Sequence, residues 1–352
     1  MSRRCYWLAL LTLMAFAPAL QAGHGVVLLY HHVSSDTPPV TSIAPDRFEA
    51  QLDYLADHAF SVWPLDRLLA AVLNDAEVVP DRVVAISFDD AYRSVYAEAW
   101  PRLRARGWPF TVFVNTDAVD AGHRPYMSWD QLRDLAAAGV AIENHSASHA
   151  HLIARRDDES DTAWRARVSA DLARAHRRIA EEVGREPALF AYPYGEDSGA
   201  LAALVGRHYA FAMTQRSGAI GPLADPLSLP RFPMASGFDD MKRFELAVHS
   251  RPLPVIEVEA QPPGDGVRGP LEALVLTVRA GPYRAGQLAC YSAAGQPLEI
   301  RHDNERRLTV TIAIGGLGQT GRNKINCTAP AKDDSGAFYW FAYQWVKGAV
   351  RD

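Results

Sequence analysis

The amino-acid sequence predicts an α/β fold in which a β/α barrel of about seven units is followed by a small all-β sandwich. From about residue 25 to residue 251, strand-like apolar runs alternate with amphipathic helical stretches, a pattern typical of parallel βα units. Beyond residue 252 the helical periodicity stops, and short strand-like runs alternate with turns rich in Gly, Pro, Asn and Asp. The length of 352 residues is sufficient for two such domains.

The predicted barrel strands are uninterrupted apolar runs, as expected for strands that are buried on both faces. In chain order they include GVVLLY, RVVAISF, FTVFV, VAIENH, ALFAYPYG and YAFAMT, separated by helical stretches such as PDRFEAQLDYLADHA and ESDTAWRARVSADLARAHRRIAEEVG. About seven units over ~230 residues fit a closed or nearly closed barrel better than a small open sheet, since a full eight-unit barrel needs ~250 residues.

The predicted sandwich covers residues 253–352, and the barrel covers residues 23–252. The strand-like runs of the predicted sandwich are VIEVEAQ, LEALVLTVRA, GQLACYS, PLEIRHD, RRLTVTIAI, NKINCTAP and AFYWFAYQWV. Their short, regular spacing is typical of a β-sandwich of about 100 residues. The run QPPGDGVRGP is its first loop or part of the linker.

The N-terminus has the features of a secretory signal peptide over residues 1–22. Arg3 and Arg4 precede the apolar run YWLALLTLMAFAPAL, and small residues follow up to a cleavage site after Ala22. A retained N-terminal anchor is the alternative, although the run is short for a membrane span of ~20 residues. We therefore expect a periplasmic or secreted protein with no stable membrane span after cleavage.

Cysteine content and net charge indicate the redox compartment and the class of partner. Cys5 leaves with the signal peptide, so Cys290 and Cys327 remain as an even pair in an exported chain, and we expect them to form a disulfide. The formal net charge of −5 gives no support for nucleic acid as a partner.

Two neighbouring acids and two histidines follow predicted strands. Asp89 and Asp90 end the run AISFDD, and adjacent strand residues point to opposite faces, so the two acids should have different roles. His145 and His149 lie four residues apart in HSASH. Two imidazoles and one carboxylate make a three-ligand site that leaves a position open for water, as a catalytic divalent metal requires.

One acid would then ligate the metal, while the other would accept a proton from the attacking water. A hydrolysis also needs a proton donor for the leaving group. His31, in LLYHHV at the end of the first strand, is the candidate general acid because histidine titrates near neutral pH. Its neighbour His32 is the competitor for this role.

The motifs SFDD, HSASH and FAYPYG, in this order and spacing, resemble the polysaccharide deacetylase family, carbohydrate esterase family 4. The opening YHHV resembles the branch that contains the poly-N-acetylglucosamine deacetylases of biofilm export systems. The resemblance covers roughly residues 25 to 250. It implies a distorted β/α barrel that removes acetyl groups from N-acetylated sugars.

The resemblance also implies a role for each site residue. Asp89 corresponds to the catalytic base, and Asp90 to a metal ligand. The other two ligands correspond to His145 and His149, with Zn²⁺ as the expected divalent metal. The backbone N–H of Tyr194 corresponds to the group that donates to the oxyanion, where a fixed N–H stabilises developing charge.

Two departures from the family pattern concern the base and the acid. Many members have an arginine two residues before the proline of PYG that orients the base, but here the position is Ala191. Arg231 in LPRFPM is the candidate that replaces this arginine. We group it with Tyr194 among the residues expected to contact the oxyanion or the substrate. In many family members the general acid is a histidine that comes late in the chain, and this position corresponds to His249 in ELAVHS. The YHHV motif favours His31 as the general acid instead.

The sequence thus predicts a metal-dependent hydrolase that removes N-acetyl groups from an N-acetylhexosamine polysaccharide in the cell envelope. An O-acetyl esterase, a peptidoglycan deacetylase and an inactive carbohydrate-binding or assembly protein are the alternatives. None of the catalytic candidates lies in the sandwich. Its expected role is therefore stability, substrate holding or docking to an export or assembly partner.

Overall fold

The computed structural model describes residues 23–261, 271–304, 308–315, 320–333 and 335–348. The predicted signal peptide and the part of QPPGDGVRGP after Gln261 lie outside these residues. Among the described residues, no helix combines the length and the apolar character needed to cross a membrane.

The first region is built on a parallel sheet that follows the order β10-β1-β5-β6-β7-β8-β9, with β4 beside β5. Residues Leu28 and Ile86 lie opposite each other on β1 and β5, and every side chain of these two strands is buried. The strands are β1 (Val26–Tyr30), β2 (His32–Val33), β3 (Ser42–Ile43), β4 (Ser61–Val62), β5 (Val83–Phe88), β6 (Thr111–Val114), β7 (Ala141–Asn144), β8 (Leu189–Ala191), β9 (Phe211–Met213) and β10 (Phe232–Pro233).

The seven strands along this order form a half-barrel, and the predicted β/α barrel of about seven units is confirmed. The strands β9 and β10 end the order, and an isolated bridge joins Met213 of β9 to Leu229, which lies three residues before β10. The short strands β2 and β3 pair only with each other in a separate parallel ladder among the described residues. Strand β2 begins two positions after the end of β1.

Helices cover the sheet, and their ends follow local capping rules. The longest begins after Ser160, whose hydroxyl accepts a hydrogen bond from the Ala163 N–H, and ends at Gly184 with φ 73°. The helices are α1 (Pro45–Asp57), α2 (Leu65–Leu73), α3 (Trp100–Ala105), α4 (Thr116–Asp120), α5 (Trp129–Ala137), α6 (Asp161–Val183), α7 (Gly199–Val205) and α8 (Met241–Val248), with a π-helical turn over Val95–Ala99. The sequence pattern did not predict α2, α4 and α8.

The C-terminal region consists of β-sheets, as predicted. One four-stranded sheet has the order β11-β18-β17-β14 and the other has the order β12-β13-β16-β15. Buried side chains of both sheets, such as Leu276 and Ile325, share one apolar core. The strands are β11 (Arg251–Pro252), β12 (Val255–Gln261), β13 (Ala273–Val278), β14 (Ala289–Ser292), β15 (Ile300–Asn304), β16 (Leu308–Ala313), β17 (Gly321–Pro330) and β18 (Phe338–Lys347).

The predicted disulfide between Cys290 and Cys327 is confirmed. The two residues lie directly opposite each other on β14 and β17, with their Cα atoms 4.0 Å apart. The bond therefore ties two neighbouring strands of one sheet. In the chain-entropy description, closing a loop of 37 residues restricts the unfolded chain and stabilises the fold by about 3–4 kcal/mol.

The sandwich packs directly against the barrel. Strand β11, which leads out of the barrel, pairs with β18, so that Pro252 lies opposite Trp340. The Trp340 ring in turn contacts the ring of Phe232 on β10, with centroids 5.3 Å apart. This contact places β17 and β18 next to the loops that follow the barrel strands.

Candidate active site

The predicted site residues come together at the C-terminal edge of the parallel sheet. His31 follows β1, the two acids Asp89 and Asp90 follow β5, His145 follows β7, and Tyr194 follows β8. Because parallel strands end at the same edge, residues far apart in the chain become neighbours there. His31, the two acids and His145 each follow a strand, as the sequence analysis predicted.

Asp89 is fully buried and paired with a fully buried guanidinium. Arg231 donates to the two carboxylate oxygens from Nη1 at 2.7 Å and from Nη2 at 2.8 Å. Its Nε donates to the carbonyl of Thr214 at 2.9 Å, which fixes the plane of the guanidinium. Burial opposes ionisation of Asp89, but the charges of Arg231 and His145 outweigh it and hold the Asp89 pKa below its usual value.

Asp90 has different surroundings, because it faces two imidazoles. Its Oδ1 lies 3.0 Å from Nε2 of His149 and 3.4 Å from Nε2 of His145. Burial opposes its ionisation, and the two imidazoles overcome this effect and hold the Asp90 pKa well below its usual value. The two adjacent carboxylates are thus ionised for different reasons.

The orientation of His145 is set by the barrel backbone. Its Nδ1 lies 2.7 Å from the carbonyl oxygen of Ala191, and a carbonyl only accepts, so Nδ1 carries the hydrogen. In the neutral imidazole, the lone pair is then on Nε2, which lies 3.4 Å from Oδ1 of Asp90. A second partner that fixes the tautomer and ring plane in this way is typical of metal-ligating histidines. Ala191, which lacks the family's guanidinium, contributes through its backbone instead.

These three side chains fit a divalent metal. One ligand atom from each of Asp90, His145 and His149 lies within 4.8 Å of the other two. Asp90 Oδ1 and His145 Nε2 are buried and have no hydrogen-bond partner, although such atoms are normally satisfied. One oxygen and two imidazole nitrogens form a donor set that suits zinc.

The loops that carry these groups are conformationally strained. Five non-glycine residues at the site have positive φ: Asp90 (70°), Ala91 (56°), Ser146 (67°), His149 (55°) and Tyr194 (59°). Such backbone is costly for residues with a Cβ, and it persists only where surrounding contacts hold it. The sequence runs SFDD and HSASH did not predict this strain.

The three candidate general acids lie in different places. His31 interacts electrostatically with both acids. Burial has the largest effect on the His31 pKa and lowers it, whereas the two carboxylates act in the opposite direction. His32 stacks on Tyr92, with ring centroids 3.5 Å apart. The Nε2 of His249 is 3.1 Å from the hydroxyl of Tyr54 on α1. Of the three, His31 interacts electrostatically with both acids, whereas His32 interacts with Asp90 and not with Asp89.

The segment Pro193–Gly195, here called the PYG loop, borders Asp90, His145 and His149, here called the metal-ligand cluster because they could hold a metal ion. The ring of Tyr194 lies 4.7 Å from that of His149 and stacks on that of His151 at 3.9 Å. Gly195 has φ 68°, and a Cβ at this position would lie 2.4 Å from the Gln215 backbone nitrogen. Only glycine therefore permits the close approach of this loop to the segment after β9.

Sequence reasoning missed three further residues at the site. His151 Nδ1 lies 2.7 Å from Oε2 of the buried Glu196, and Gln215 Nε2 donates to Asp89 Oδ2 at 3.4 Å. His151 lies two residues after HSASH and Glu196 lies one residue after PYG. Their closeness to these motifs was a signal that they belong to the site. Gln215 belongs to no motif, and only the fold brings it to Asp89.

Comparison with known families and proteins agrees with this geometry. The family model described as polysaccharide deacetylase matches residues 76–209, a range that contains both acids and both histidines but neither His31 nor Arg231. The predicted resemblance to this family, carbohydrate esterase family 4, is confirmed over these residues.

Individual relatives match at modest identity. The Staphylococcus aureus (strain MRSA252) poly-beta-1,6-N-acetyl-D-glucosamine N-deacetylase is 24% identical over 212 residues, which are 58% of this chain and 71% of that protein. YxkH of Bacillus subtilis (strain 168) is 28% identical over 127 residues, which are 36% of this chain and 43% of YxkH. The match thus spans less than half of YxkH.

Solved structures share the fold. The Streptococcus pyogenes deacetylase PplD, in complex with acetate, superposes with a TM-score of 0.57 at 19% identity, over 65% of this chain and 99% of PplD. IcaB from Ammonifex degensii superposes with a TM-score of 0.56 at 24% identity, over 64% of this chain and 97% of IcaB. Both are matched almost whole, while about a third of this chain lies outside each match.

Proposed function

We propose that this protein is a metal-dependent hydrolase that removes N-acetyl groups from an N-acetylhexosamine-containing polysaccharide of the cell envelope. The observation that carries the proposal is the contrast between two adjacent buried acids. Asp89 has its charge balanced by Arg231, whereas Asp90 presents an unpaired oxygen to two imidazoles. One acid is suited to act as a base and the other to act as a ligand.

Asp90, His145 and His149 would hold the metal, which we propose to be Zn²⁺ because of the N/N/O donor set. When bound, such an ion would polarise the acetyl carbonyl and lower the pKa of an attacking water. Three protein ligands leave room for these oxygen atoms. The fixed tautomer of His145 supports its assignment as a ligand.

We assign Asp89 as the general base that accepts the proton of the attacking water. Its lowered pKa keeps it ionised at neutral pH, and the two bonds from Arg231 fix its orientation. Arg231 would thereby replace the arginine that is missing at position 191. We assign it as a positioning residue, because both of its Nη atoms are directed at Asp89.

We assign Tyr194 and His31 to the two remaining steps of amide cleavage. The backbone N–H of Tyr194 would donate to the oxygen of the acetyl group as negative charge develops there. His31 would donate a proton to the leaving nitrogen of the sugar, which is a poor leaving group unless it is protonated. The electrostatic interaction of His31 with both acids supports this role.

The substrate class and the location rest on other observations. The name of the Staphylococcus aureus relative supports an N-acetylglucosamine polymer as the substrate. The signal-peptide pattern of residues 1–22 supports export to the periplasm or beyond. The sandwich is the region that we propose would contact a long polymer or an export or assembly partner.

The direct test is acetate release by purified protein loaded with one equivalent of Zn²⁺. We expect equal amounts of acetate and free amine from β-1,6-linked N-acetylglucosamine oligomers, and almost none after Asp89→Asn. Peptidoglycan fragments and an O-acetylated oligosaccharide serve as comparison substrates. Cleavage of the ester or peptidoglycan alone, or no cleavage of any substrate by the metal-loaded protein, would contradict the proposal.

A further inference from the structure

The PYG loop, which carries the proposed oxyanion donor, has a backbone conformation that its own sequence does not favour. Tyr194 has φ 59° and ψ 4°, and Gly195 follows with φ 68°. Two successive residues in the left-handed region are costly when one of them carries a large side chain. The loop therefore depends on contacts from outside itself to keep the Tyr194 N–H in one orientation.

Several of these contacts come from the C-terminal sandwich. Arg322 on β17 donates from Nη1 to the carbonyl of Tyr194, and its guanidinium lies 5.8 Å from the centre of the Tyr194 ring. Gln344 on β18 donates from Nε2 to the carbonyl of Gly195 at 2.8 Å, in a buried contact. Adjacent strands of the sandwich thus bind the two consecutive carbonyls that follow the proposed oxyanion donor.

A second contact from the same strand reaches the loop beside the general base. Lys324, two residues after Arg322 on β17, donates from Nζ to the backbone carbonyl of Gln215 at 2.6 Å. The side chain of Gln215 donates to Asp89, and its backbone nitrogen adjoins Gly195. The sandwich therefore supports both loops that flank Asp89.

The metal-ligand cluster has its own supports within the barrel. His145 is oriented by the carbonyl of Ala191, and the backbone N–H of His149 donates to the Ser146 hydroxyl at 2.9 Å. These contacts do not involve the sandwich. Changes in the sandwich should therefore affect the PYG loop without affecting metal binding.

We propose that Arg322, Lys324 and Gln344 are positioning residues that hold the PYG loop and Gln215 in their reactive geometry, so that the sandwich completes the active site. This inference rests on the proposed deacetylase function for its kinetic consequence. It extends the role expected from sequence, in which the sandwich supplies only stability, substrate holding or docking.

The test uses the full chain and the variants Arg322→Ala and Gln344→Met, each of which removes one donor to the loop. We expect each to lower kcat for short N-acetylglucosamine oligomers by about 10-fold to 100-fold, because small displacements of a reacting group are costly. The KM for these oligomers and the content of Zn²⁺ should stay unchanged. Arg322→Lys, which retains a cationic donor, should recover part of the loss.

Arg284→Ala is the matched control. Its Nε also donates to a backbone carbonyl, that of Ala331 at 3.2 Å, but this contact lies wholly within the sandwich. We expect the control to keep the wild-type kcat. A fall in kcat as large as that of Arg322→Ala would mean that any weakening of the sandwich lowers activity, and it would overturn the specific role.

Hydrogen exchange tests the bracing independently of catalysis. The amides of Gly195 and Glu196 donate to the carbonyls of Tyr192 and Pro193 at 2.8 Å and 3.2 Å, and these turn bonds should open more often once the loop is released. We expect faster exchange there in Arg322→Ala and Gln344→Met but not in Arg284→Ala. Unchanged exchange in both loop variants would overturn the inference, even if the wild-type protein proved inactive on the chosen oligomers.

Discussion

The metal-ligand side of the site and the PYG-loop side are supported by different parts of the chain. On the metal side, the barrel supplies all of the supports described above, and the buried Asp171 on α6 adds two more by accepting from the amides of Ala147 and Ser148 at 2.9 Å and 3.2 Å. On the loop side, the sandwich supplies donors to the carbonyls of Tyr194 and Gly195.

This difference indicates that metal binding and turnover can be separated by mutation. The metal side is made of local contacts between neighbouring strand ends, whereas the loop side depends on residues more than 100 positions away in the chain. Asp89 lies between the two sides, since it adjoins Asp90 and also contacts Gln215. Variants that separate the two sides therefore test the comparison.

The largest expected effect is that of Asp89→Asn on turnover. An amide cannot accept the proton of the attacking water, so kcat should fall by ~10²–10⁴-fold, the usual contribution of a general base. Steady-state acetate release from short oligomers would measure the change. Near-normal turnover would show that another group serves as the base.

His31→Ala should follow, with a loss in kcat of about 10²-fold, at the lower end of the range for general acids. His249→Ala is the matched control, because its imidazole contacts Tyr54 rather than the acids. Both variants should retain bound metal. If His249→Ala lost turnover while His31→Ala kept it, the proton donor would be His249 instead of His31.

Arg231→Met tests how the charge of Asp89 is balanced. Removing one partner of a buried ion pair typically costs ~3–5 kcal/mol of stability, which chemical denaturation would measure. Loss of the guanidinium should raise the Asp89 pKa, so any remaining activity would require a higher pH. The double variant with Asp89→Asn, which removes the buried charge as well, should recover stability, and failure to recover would contradict the assignment.

The smallest expected effect concerns Lys324. Burial lowers its pKa from 10.5 to about 7, and the nearby charges of Arg322 and Arg216 act in the same direction. Between about pH 7 and 10.5 the unfolded chain then binds more protons than the folded protein, so this group makes stability rise with pH. Lys324→Met should therefore show a flatter increase of the unfolding free energy over that range, and an unchanged slope would contradict the burial of the charge.

The sequence was most informative where contacts are local or periodic. The apolar runs of β1 and β5 predicted buried parallel strands because both faces of such strands must be apolar, and the even cysteine pair predicted the disulfide. The pairing of Asp89 with Arg231 was a hypothesis that rested on the missing arginine at position 191. The fold brings together two residues 142 positions apart, as the hypothesis requires.

Sequence could not predict contacts that depend on how the two regions pack. Nothing in the run NKINCTAP distinguishes Lys324 as a residue that reaches the active-site loops, because its partner is a backbone carbonyl in another domain. Backbone carbonyls exist at every position and leave no signal in a motif. The strained φ of Tyr194 is equally invisible, since tyrosine does not favour that conformation.

The most direct test of the account is the metal content of Asp89→Asn and Asp90→Asn, measured side by side by elemental analysis after saturation with Zn²⁺ and removal of the excess. The account predicts about one equivalent of Zn²⁺ in Asp89→Asn and a large loss in Asp90→Asn, with both variants folded. The reverse pattern, with metal retained in Asp90→Asn and lost in Asp89→Asn, would contradict the division of labour between the two acids.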